Sequence, residues 1–242
     1  MAKPNTHGIG AAFAKRRKAP AKAPLDRERV IAAAVKILDA EGPGALTFRR
    51  LAADLDAGVA TLYWHVDNKE MLLDLVLDAV MDELGEGFDA HPELPWDERM
   101  RGGLIELWRL MRRHPWAALH AISTNNRGPN LLHHWDRGAA LLFTTGMEAR
   151  DVFYALSTLF TFVVGVGVQD AIWHVYGVTD QSEARAAELG EVTRLFDELP
   201  ADAYPTFRRI LPVFASHDED EQFLSGIDLL LAGIRGQLAA NG

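Results

Sequence analysis

The stretch from residue 47 to residue 69, TFRRLAADLDAGVATLYWHVDNK, constrains the fold more than any other part of the chain. Leu51 and Leu55 recur at helical spacing, residues 56–58 interrupt the pattern, and apolar positions at helical spacing resume at Val59. The stretch therefore predicts two short amphipathic helices joined by a tight turn. This is a helix-turn-helix pattern, which can place its second helix in the major groove of DNA.

The exposed positions of this stretch are small, hydroxylated or basic, a selection that suits contacts with phosphates and base edges. A helical hairpin is also a common structural connector, so the pattern alone leaves a purely structural role open. The candidate DNA-binding residues that this argument gives are Thr47, Arg49, Arg50, Ala60, Thr61, His65 and Lys69.

The order of residues in the stretch favours a DNA-binding role over a purely structural one. Leu-Thr-x-Arg-x-Leu-Ala at 46–52, TLYWHV at 61–66 and Asn-Lys at 68–69, followed by an apolar helix, resemble the DNA-binding domain of the TetR family of bacterial repressors. The tetracycline-repressor type of that family is the most similar, and TLYWHV is the most specific part of the match. A DNA-binding role is what this resemblance implies.

The resemblance also assigns roles to individual residues. Arg49 would reach a base edge from the first helix of the pair, and Thr61 would lie in the recognition helix. Tyr63 and His65 would touch the DNA backbone near the end of that helix. Lys69, at the start of the next helix, would hold a phosphate.

Three positions depart from the family pattern. Asp56 stands in the turn where a glycine is usual, and Val59 and Ala60 replace a polar residue and a proline of the recognition helix. A valine cannot form the hydrogen bonds that read a base, although its methyl groups can contact a thymine methyl. The mode of binding is therefore expected to be that of the family, with a different operator sequence.

The net charge of −9 is unevenly distributed along the chain. Residues 1–69 carry 12 Lys and Arg against 7 Asp and Glu, a net charge of +5, whereas residues 70–242 carry 13 against 27, a net charge of −14. This polarity indicates that the first part is the nucleic-acid-binding end. Residues 1–24 hold six basic residues and no acidic one, and are predicted to be a disordered arm when free. The arm is either a solvated tail or a segment that follows the duplex.

The chain has 242 residues, of which 48% are hydrophobic, enough for a substantial globular core in one or two domains. It contains no cysteine, which excludes disulfide frameworks, thiolate zinc sites and cysteine nucleophiles and fits a reducing compartment. The N-terminus lacks the continuous apolar core of a secretory signal. We therefore expect a cytoplasmic protein.

Capping signals suggest where the domains begin and end. Asp26 is a favourable N-cap for a first helix, and Gly42-Pro43-Gly44 would end that helix. Asn68 would cap a connecting helix at about 69–84, which in the family carries the signal between the two domains. The predicted units are a basic arm at 1–24, a three-helix DNA-binding domain at 25–69, and a ligand-binding and dimerisation domain at 70–242.

Residues 85–95 are rich in Gly and Pro and are predicted to form a loop at the domain boundary. No alternating strand pattern occurs in the sequence, so an all-α fold with a C-terminal helical bundle is expected. Apolar residues at helical spacing predict helices at about 96–113, 115–123, 129–145, 149–174, 184–198, 204–215 and 220–239.

Residues 152–168 form the most apolar segment of the chain, which could be either a membrane-spanning helix or a buried helix. The segment is at the lower limit of a spanning length, and Asp151 and Asp170 flank it. A buried helix is favoured, and a helix that is apolar on nearly all sides needs more cover than one chain supplies. Pairing with a second copy would supply it, with Gly165 and Gly167 allowing close approach. The resemblance implies a homodimer through this helix and the last one, with no membrane partner.

Aromatic, amide and imidazole side chains accumulate between the connecting helix and the dimer helices. Aromatic walls with a few polar groups are what a small-molecule cavity needs. Any one of these residues alone is more often a core aromatic or an exposed loop residue, so the prediction concerns the set. The candidate ligand-binding residues are Trp108, Met111, Trp116, His120, Asn125, Asn126, Asn130, His133, His134, Trp135 and Phe160, with Gln169 added from its position in the family pattern.

The tetracycline-repressor type holds magnesium-tetracycline with asparagine, histidine and glutamine side chains and a water-linked glutamate. His120 matches one histidine of that set. The other histidine, the asparagine, the glutamine and the glutamate are replaced by Gly85, Gly103, Gly138 and Gln169. Magnesium prefers hard oxygen ligands, usually carboxylate, and Gln169 removes the charge. We therefore expect a different small organic effector that is partly aromatic, and neither a metal nor a cofactor.

A homodimeric repressor that leaves double-stranded operator DNA when a small molecule binds is the function that the sequence favours. An effector-independent architectural DNA-binding protein and a helical-bundle enzyme are the alternatives. In an enzyme, His133, His134 and Asp136 would be ligands or bases. Bundle di-metal sites need paired Glu-x-x-His motifs, which the sequence lacks, and adjacent histidines point about 100° apart on a helix. A non-enzymatic protein is therefore expected.

Overall fold

A computed structural model describes residues 25–123, 128–175, 190–191, 193–196, 198–200, 202–214, 216 and 218–241. The predicted basic arm at 1–24 and the candidate ligand residues Asn125 and Asn126 lie outside these described residues. Within them all regular structure is helical, so the predicted all-α fold is confirmed.

The N-terminal unit consists of three helices around one small core. These are α1 (Arg27–Glu41), α2 (Phe48–Leu55) and α3 (Val59–Leu62). Asp26 caps α1, since its carboxylate accepts a hydrogen bond from the Arg29 amide at 2.8 Å, as the sequence predicted. The buried side chains that hold the unit together are Val30, Ala34, Ile37, Leu46, Leu51, Leu62 and Val66.

Asp56 ends α2 in the left-handed conformation, with φ 48° and ψ 52°. This backbone conformation explains why a glycine is usual at the position, because most side chains are strained there. Aspartate is among the few other residues that adopt it, so the tight turn between α2 and α3 forms without the glycine.

Helix α4 (Lys69–Met81) leads from the N-terminal unit into the rest of the chain. Asn68 caps it as predicted, accepting from the Met71 amide at 2.8 Å. Two short 3-10 turns follow the helix. Asp82–Leu84 occupies the last three positions predicted for the connecting helix, and Gly87–Asp89 lies in the predicted loop at 85–95.

Six further helices can be delimited within the described residues of the C-terminal part. Helix α8 is central to it, packing against α5, α6, α7 and α10. The predicted segments agree closely with the observed helices, although most of predicted 184–198 lies outside the described residues. The helices are α5 (Trp96–Arg113), α6 (Pro115–Ser123), α7 (Pro129–Phe143), α8 (Ala149–Val175), α9 (Phe207–Phe214) and α10 (Glu219–Asn241).

The two glycines predicted to allow close helix approach differ in their surroundings. A Cβ on Gly167 would lie 2.9 Å from the Met111 sulfur and 3.1 Å from the Ala118 Cβ, so this glycine lets α8 approach α5 and α6 of the same chain. Gly165 faces open space instead.

In the described part of the chain, two helices are long and apolar enough to span a membrane, Ala149–Ile172 within α8 and Glu219–Ala240 within α10. Their most apolar windows are only 33% and 22% buried within the single chain. Both helices also carry ion pairs or acidic residues, such as the pair between Arg101 and Asp228 at 2.7 Å.

A polar cluster joins α1 to the corner between α5 and α6. The Asp39 carboxylate accepts from Trp116 Nε1 at 2.7 Å and lies 2.8 Å from His114 Nδ1. On the other side of the ring, His114 Nε2 lies 3.1 Å from the Glu83 carboxylate. The N-terminal unit is thereby fixed to the C-terminal helices by hydrogen bonds as well as by its link through α4.

Candidate functional site

The exposed face of α3 carries the residues that the sequence predicted for the recognition helix. Val59 is 38% exposed, and Ala60 and Thr61 are also exposed, whereas Leu62 is fully buried. This one-sided burial holds the short helix on the core and leaves a thin surface of small side chains facing outward. Such a surface fits a major groove.

The first turn of α2 lies beside the end of α3. The rings of Phe48 and Tyr63 stack with centroids 4.7 Å apart and planes 5° apart. The Thr47 hydroxyl accepts from the Arg50 amide at 3.1 Å and so caps α2, a role that the sequence argument missed. Thr47 remains exposed and is still available to a phosphate.

Trp64 is 87% exposed, the largest exposure among the large hydrophobic residues of the described chain. It was not among the predicted DNA-binding residues. The sequence does contain a signal for its exposure. Leu62 and Val66 are apolar residues four positions apart, which places them on the buried face of a helical turn, and Trp64, midway between them, points outward. An exposed indole beside the recognition helix adds an aromatic contact surface.

The predicted basic residues differ in their exposure and in whether they already have a hydrogen-bond or ion-pair partner. Arg49 is exposed and has no hydrogen-bond or ion-pair partner in the described part of the chain. The Lys69 ammonium donates to the Pro43 carbonyl at 2.9 Å, and His65 is half-buried. Arg50 is held by Glu41. Arg49 is therefore the basic side chain most ready to reach DNA.

A cavity of about 380 Å³ opens between helices α4 to α8. Aliphatic, thioether and aromatic side chains form most of its wall, and the stacked pair Trp135 and Phe160, with ring centroids 4.9 Å apart, forms one side. Among the described lining residues, the side-chain polar atoms are the Trp135 indole nitrogen and the hydroxyls of Ser157 and Thr161. The lining residues are Leu77, Met81, Leu107, Met111, Ala121, Ile122, Leu131, Trp135, Ser157, Phe160, Thr161, Val164 and Gly165.

Three of the predicted ligand-binding residues, Met111, Trp135 and Phe160, line this cavity. The sequence argument missed the α4 residues Leu77 and Met81. These two apolar residues are four positions apart on the connecting helix, a spacing that places them on one face of it.

The two other predicted tryptophans lie outside the cavity wall. Trp108 stacks on Phe223 with centroids 4.1 Å apart and donates to Asp170 at 3.2 Å. Trp116 is 2% exposed and donates to Asp39. Their indoles therefore join helices to one another. Gln169 lines a second groove, between α8 and α10.

The start of α7 and the end of α4 are joined by hydrogen bonds to backbone amides and carbonyls at both helix ends. The buried Asp78 carboxylate accepts from the amides of Asn130 at 3.0 Å and Leu131 at 3.1 Å. In return, Asn130 Nδ2 donates to the Asp78 carbonyl at 3.0 Å, and His134 Nε2 lies 3.0 Å from the Met81 carbonyl. We call this set of contacts the α4–α7 interlock.

Further geometry supports the interlock. A Cβ on Gly128 would lie 2.1 Å from the Asp78 carboxylate, so only glycine fits there. Burial lowers the pKa of the His134 imidazole, which keeps the ring neutral near pH 7. The Met81 carbonyl can only accept, so Nε2 carries the donated hydrogen. His133 packs edge-on against His134 and points to solvent.

The residues present do not fit magnesium-tetracycline. His120 Nε2 is engaged with Asp74 at 2.9 Å. The Phe88 ring fills the space beside Gly103 and Gly138, where a Cβ would lie 2.1 Å and 3.2 Å from it, so no amide side chain could project from either position without moving the ring. The described residues of the cavity wall also include no carboxylate or imidazole that could bind a metal ion.

Comparisons with known proteins agree with this geometry. Residues 30–76 match the family model described as bacterial regulatory proteins, tetR family, and residues 90–238 match the tetracyclin repressor-like C-terminal domain. A transcriptional regulator of the helix-turn-helix type from Saccharopolyspora erythraea is 32% identical over 92% of this chain and 89% of its own length. The class D tetracycline repressor protein from Escherichia coli is 31% identical over 89% of this chain and 92% of its own.

The solved structure of apo ActR from Streptomyces coelicolor superposes with a TM-score of 0.76 at 31% identity, covering 92% of this chain and all of ActR. ActR in complex with actinorhodin gives a TM-score of 0.75 at 32% identity over 91% of this chain and 98% of that one. The chain therefore belongs to the TetR family, and it is a DNA-binding transcriptional regulator. The matched relatives are regulators rather than enzymes.

Proposed function

We propose that this regulator is a homodimeric repressor that leaves its operator when an uncharged, largely aromatic small molecule occupies the cavity between α4 and α8. The observation that carries the proposal is the place of α4, whose Leu77 and Met81 form part of the cavity wall. The same helix begins at Lys69, which is bonded to the DNA-binding unit through Pro43. An occupant of the cavity thus touches the helix that positions the recognition helix.

The chemistry of the wall indicates the class of effector. A cavity of about 380 Å³ with stacked aromatic rings favours a flat apolar body, since burial of such a body supplies most of the binding energy. An ionised group would lose its hydration there, which is costly because none of the described lining residues is charged. The Ser157 and Thr161 hydroxyls can pair with one or two oxygen atoms of the ligand and so fix its orientation.

Release from DNA requires that the effector prefer the conformation that does not match the operator. Two recognition helices of a dimer must reach successive major grooves about 34 Å apart on one face of the duplex. A shift of α4 in each protomer changes that separation. The interlock at the end of α4 ties this shift to α7, whose Leu131 and Trp135 are also in the cavity wall.

The incomplete burial of α8 and α10 supports the dimer. A groove of about 310 Å³ runs between these helices and includes Tyr154, which is 58% exposed. Leu229, 72% exposed, lies on the same groove. A second copy packed on this face would cover the two helices that are long and apolar enough to span a membrane. We accordingly propose a cytoplasmic protein with no membrane partner.

The comparisons support ligand control without identifying the ligand. ActR has been solved with actinorhodin, and several relatives are named tetracycline repressor proteins. An architectural DNA-binding protein without an effector would be expected to have a sealed C-terminal core. The open cavity between α4 and α8 favours the effector-controlled repressor.

A variant that fills the cavity tests the proposal. Val164 lies in the wall, and Val164→Phe should abolish binding of a neutral planar probe such as 1,8-dihydroxyanthraquinone, followed by quenching of tryptophan fluorescence. Leu132→Phe adds the same ring on the exposed side of α7 and serves as the matched control. Two outcomes would contradict the proposal. One is equal probe binding by both variants, and the other is that none of a panel of neutral aromatic compounds changes the affinity for promoter DNA when it binds.

Replacing Arg49 tests the DNA-binding surface. Arg49→Ala should weaken binding to the protein's own promoter fragment by about 10- to 100-fold, because a lost base contact costs about 1–3 kcal/mol. Fluorescence anisotropy at fixed salt measures the change. Arg109→Ala, an exposed substitution of the same kind on α5, should leave binding within about two-fold of the original, which is the scale expected of a surface change away from DNA.

A further inference from the structure

Glu41 and Arg50 form an ion pair on the DNA-binding unit that the proposed repressor mechanism does not use. The Arg50 guanidinium lies 2.8 Å from the Glu41 carboxylate and 3.5 Å from Asp54. Both side chains of the closer pair remain more than two-fifths exposed, at 41% and 44%. The pair is therefore open to competition from another anion at the surface.

The pair borders the surface that is predicted to bind DNA. Arg50 is in the first turn of α2, next to Arg49 and the Phe48 ring that stacks on Tyr63. Glu41 is the last residue of α1, immediately before the loop whose Pro43 carbonyl holds Lys69. The Lys69–Pro43 hydrogen bond holds the amino end of α4, which favours anions, to this loop.

We propose that Glu41 occupies Arg50 in place of a DNA phosphate, and that this intramolecular pairing limits both the affinity and the salt dependence of DNA binding. A carboxylate and a phosphate oxygen compete for the same guanidinium face, because both pair with it through similar hydrogen bonds. The charge of Arg50 is secure, since its hydrogen bond to Glu41 raises its pKa further above the ordinary value. Glu41 is thus a positioning residue for DNA binding.

Removing the competitor should strengthen binding. Glu41→Gln should raise affinity for a short fluorescein-labelled duplex of scrambled sequence roughly two- to five-fold per DNA-binding unit, the scale of an exposed ion pair. Each phosphate newly paired with Arg50 should steepen the slope of log affinity against log salt by about 0.9. Phosphate contacts carry no sequence information, so the operator need not be known, and the test is independent of any effector.

A double-substitution cycle separates this mechanism from a general gain of positive charge. If Glu41 acts through Arg50, Glu41→Gln should have no effect on affinity or salt slope in an Arg50→Gln background. Asp67→Asn, an equal change of charge in the exposed turn before α4, is the control for the general effect and should change the slope less. Thermal unfolding by circular dichroism verifies that all the variants are folded.

Two results would overturn the proposal. One is an unchanged affinity and slope for Glu41→Gln. The other is an equal gain from Glu41→Gln with and without Arg50, which would assign the effect to charge alone. A gain that disappears in the Arg50→Gln background, with a slope steeper by about one phosphate per unit, is the expected outcome.

Discussion

Asp78→Ala should lower the free energy of unfolding by about 2–4 kcal/mol, since the carboxylate both caps α7 and accepts charge-assisted hydrogen bonds in a buried place. Asp78 is 9% exposed, and alanine would leave the Asn130 and Leu131 amides without their acceptor. Urea denaturation at one fixed protein concentration measures the loss. The same variant should weaken the coupling between cavity and DNA, because the interlock ties α4 to α7.

Asp74→Ala is the matched control for this prediction. Asp74 lies on the same helix one turn earlier, and its 42% exposed carboxylate pairs with His120. Loss of such an exposed pair should cost at most about 1 kcal/mol. Similar costs for the two variants would show that the interlock adds nothing beyond an ordinary surface contact.

Leu229→Glu should convert the protein to monomers at concentrations where the original is dimeric. Leu229 is 72% exposed on the groove between α8 and α10, so the single chain tolerates a charge there. In the proposed interface the same charge would be buried without a partner, which costs several kcal/mol and raises the dimer dissociation constant at least about 100-fold. Light scattering coupled to gel filtration measures the change, and promoter-DNA affinity should fall with it.

Leu132→Glu provides the comparison, because Leu132 is 53% exposed on α7, away from that groove. This variant should remain a dimer with unchanged DNA affinity. If Leu229→Glu also stayed dimeric, the face formed by α8 and α10 could not be the interface.

The local parts of the fold could be predicted from the sequence because their causes are local. Asp26 and Asn68 cap helices through amides three residues away, and the helix-turn-helix pattern follows from apolar spacing within a few turns. Trp64 was missed although the burial of Leu62 and Val66 beside it implies its exposure. The family resemblance assigns no DNA-binding role to Trp64.

The cavity could be predicted only in outline, because its wall depends on contacts between distant parts of the chain. Trp108 and Trp116 have the composition of ligand-binding residues, yet their indoles are paired with Asp170 and Asp39, partners 62 and 77 positions away. Phe88, in the boundary loop, fills the space beside two glycines of α5 and α7. The partners of the two indoles and the position of the Phe88 ring depend on tertiary packing, so they could not be predicted from the spacing of residues in the sequence.

The most direct test of a dimeric operator-binding repressor is hydroxyl-radical footprinting of its own promoter fragment, with and without a probe that fills the cavity. The account predicts two protected patches on one face of the duplex, with centres about 10–10.5 base pairs apart, both of which disappear together when the probe binds. A single protected patch, or two patches that persist when the cavity is filled, would contradict it.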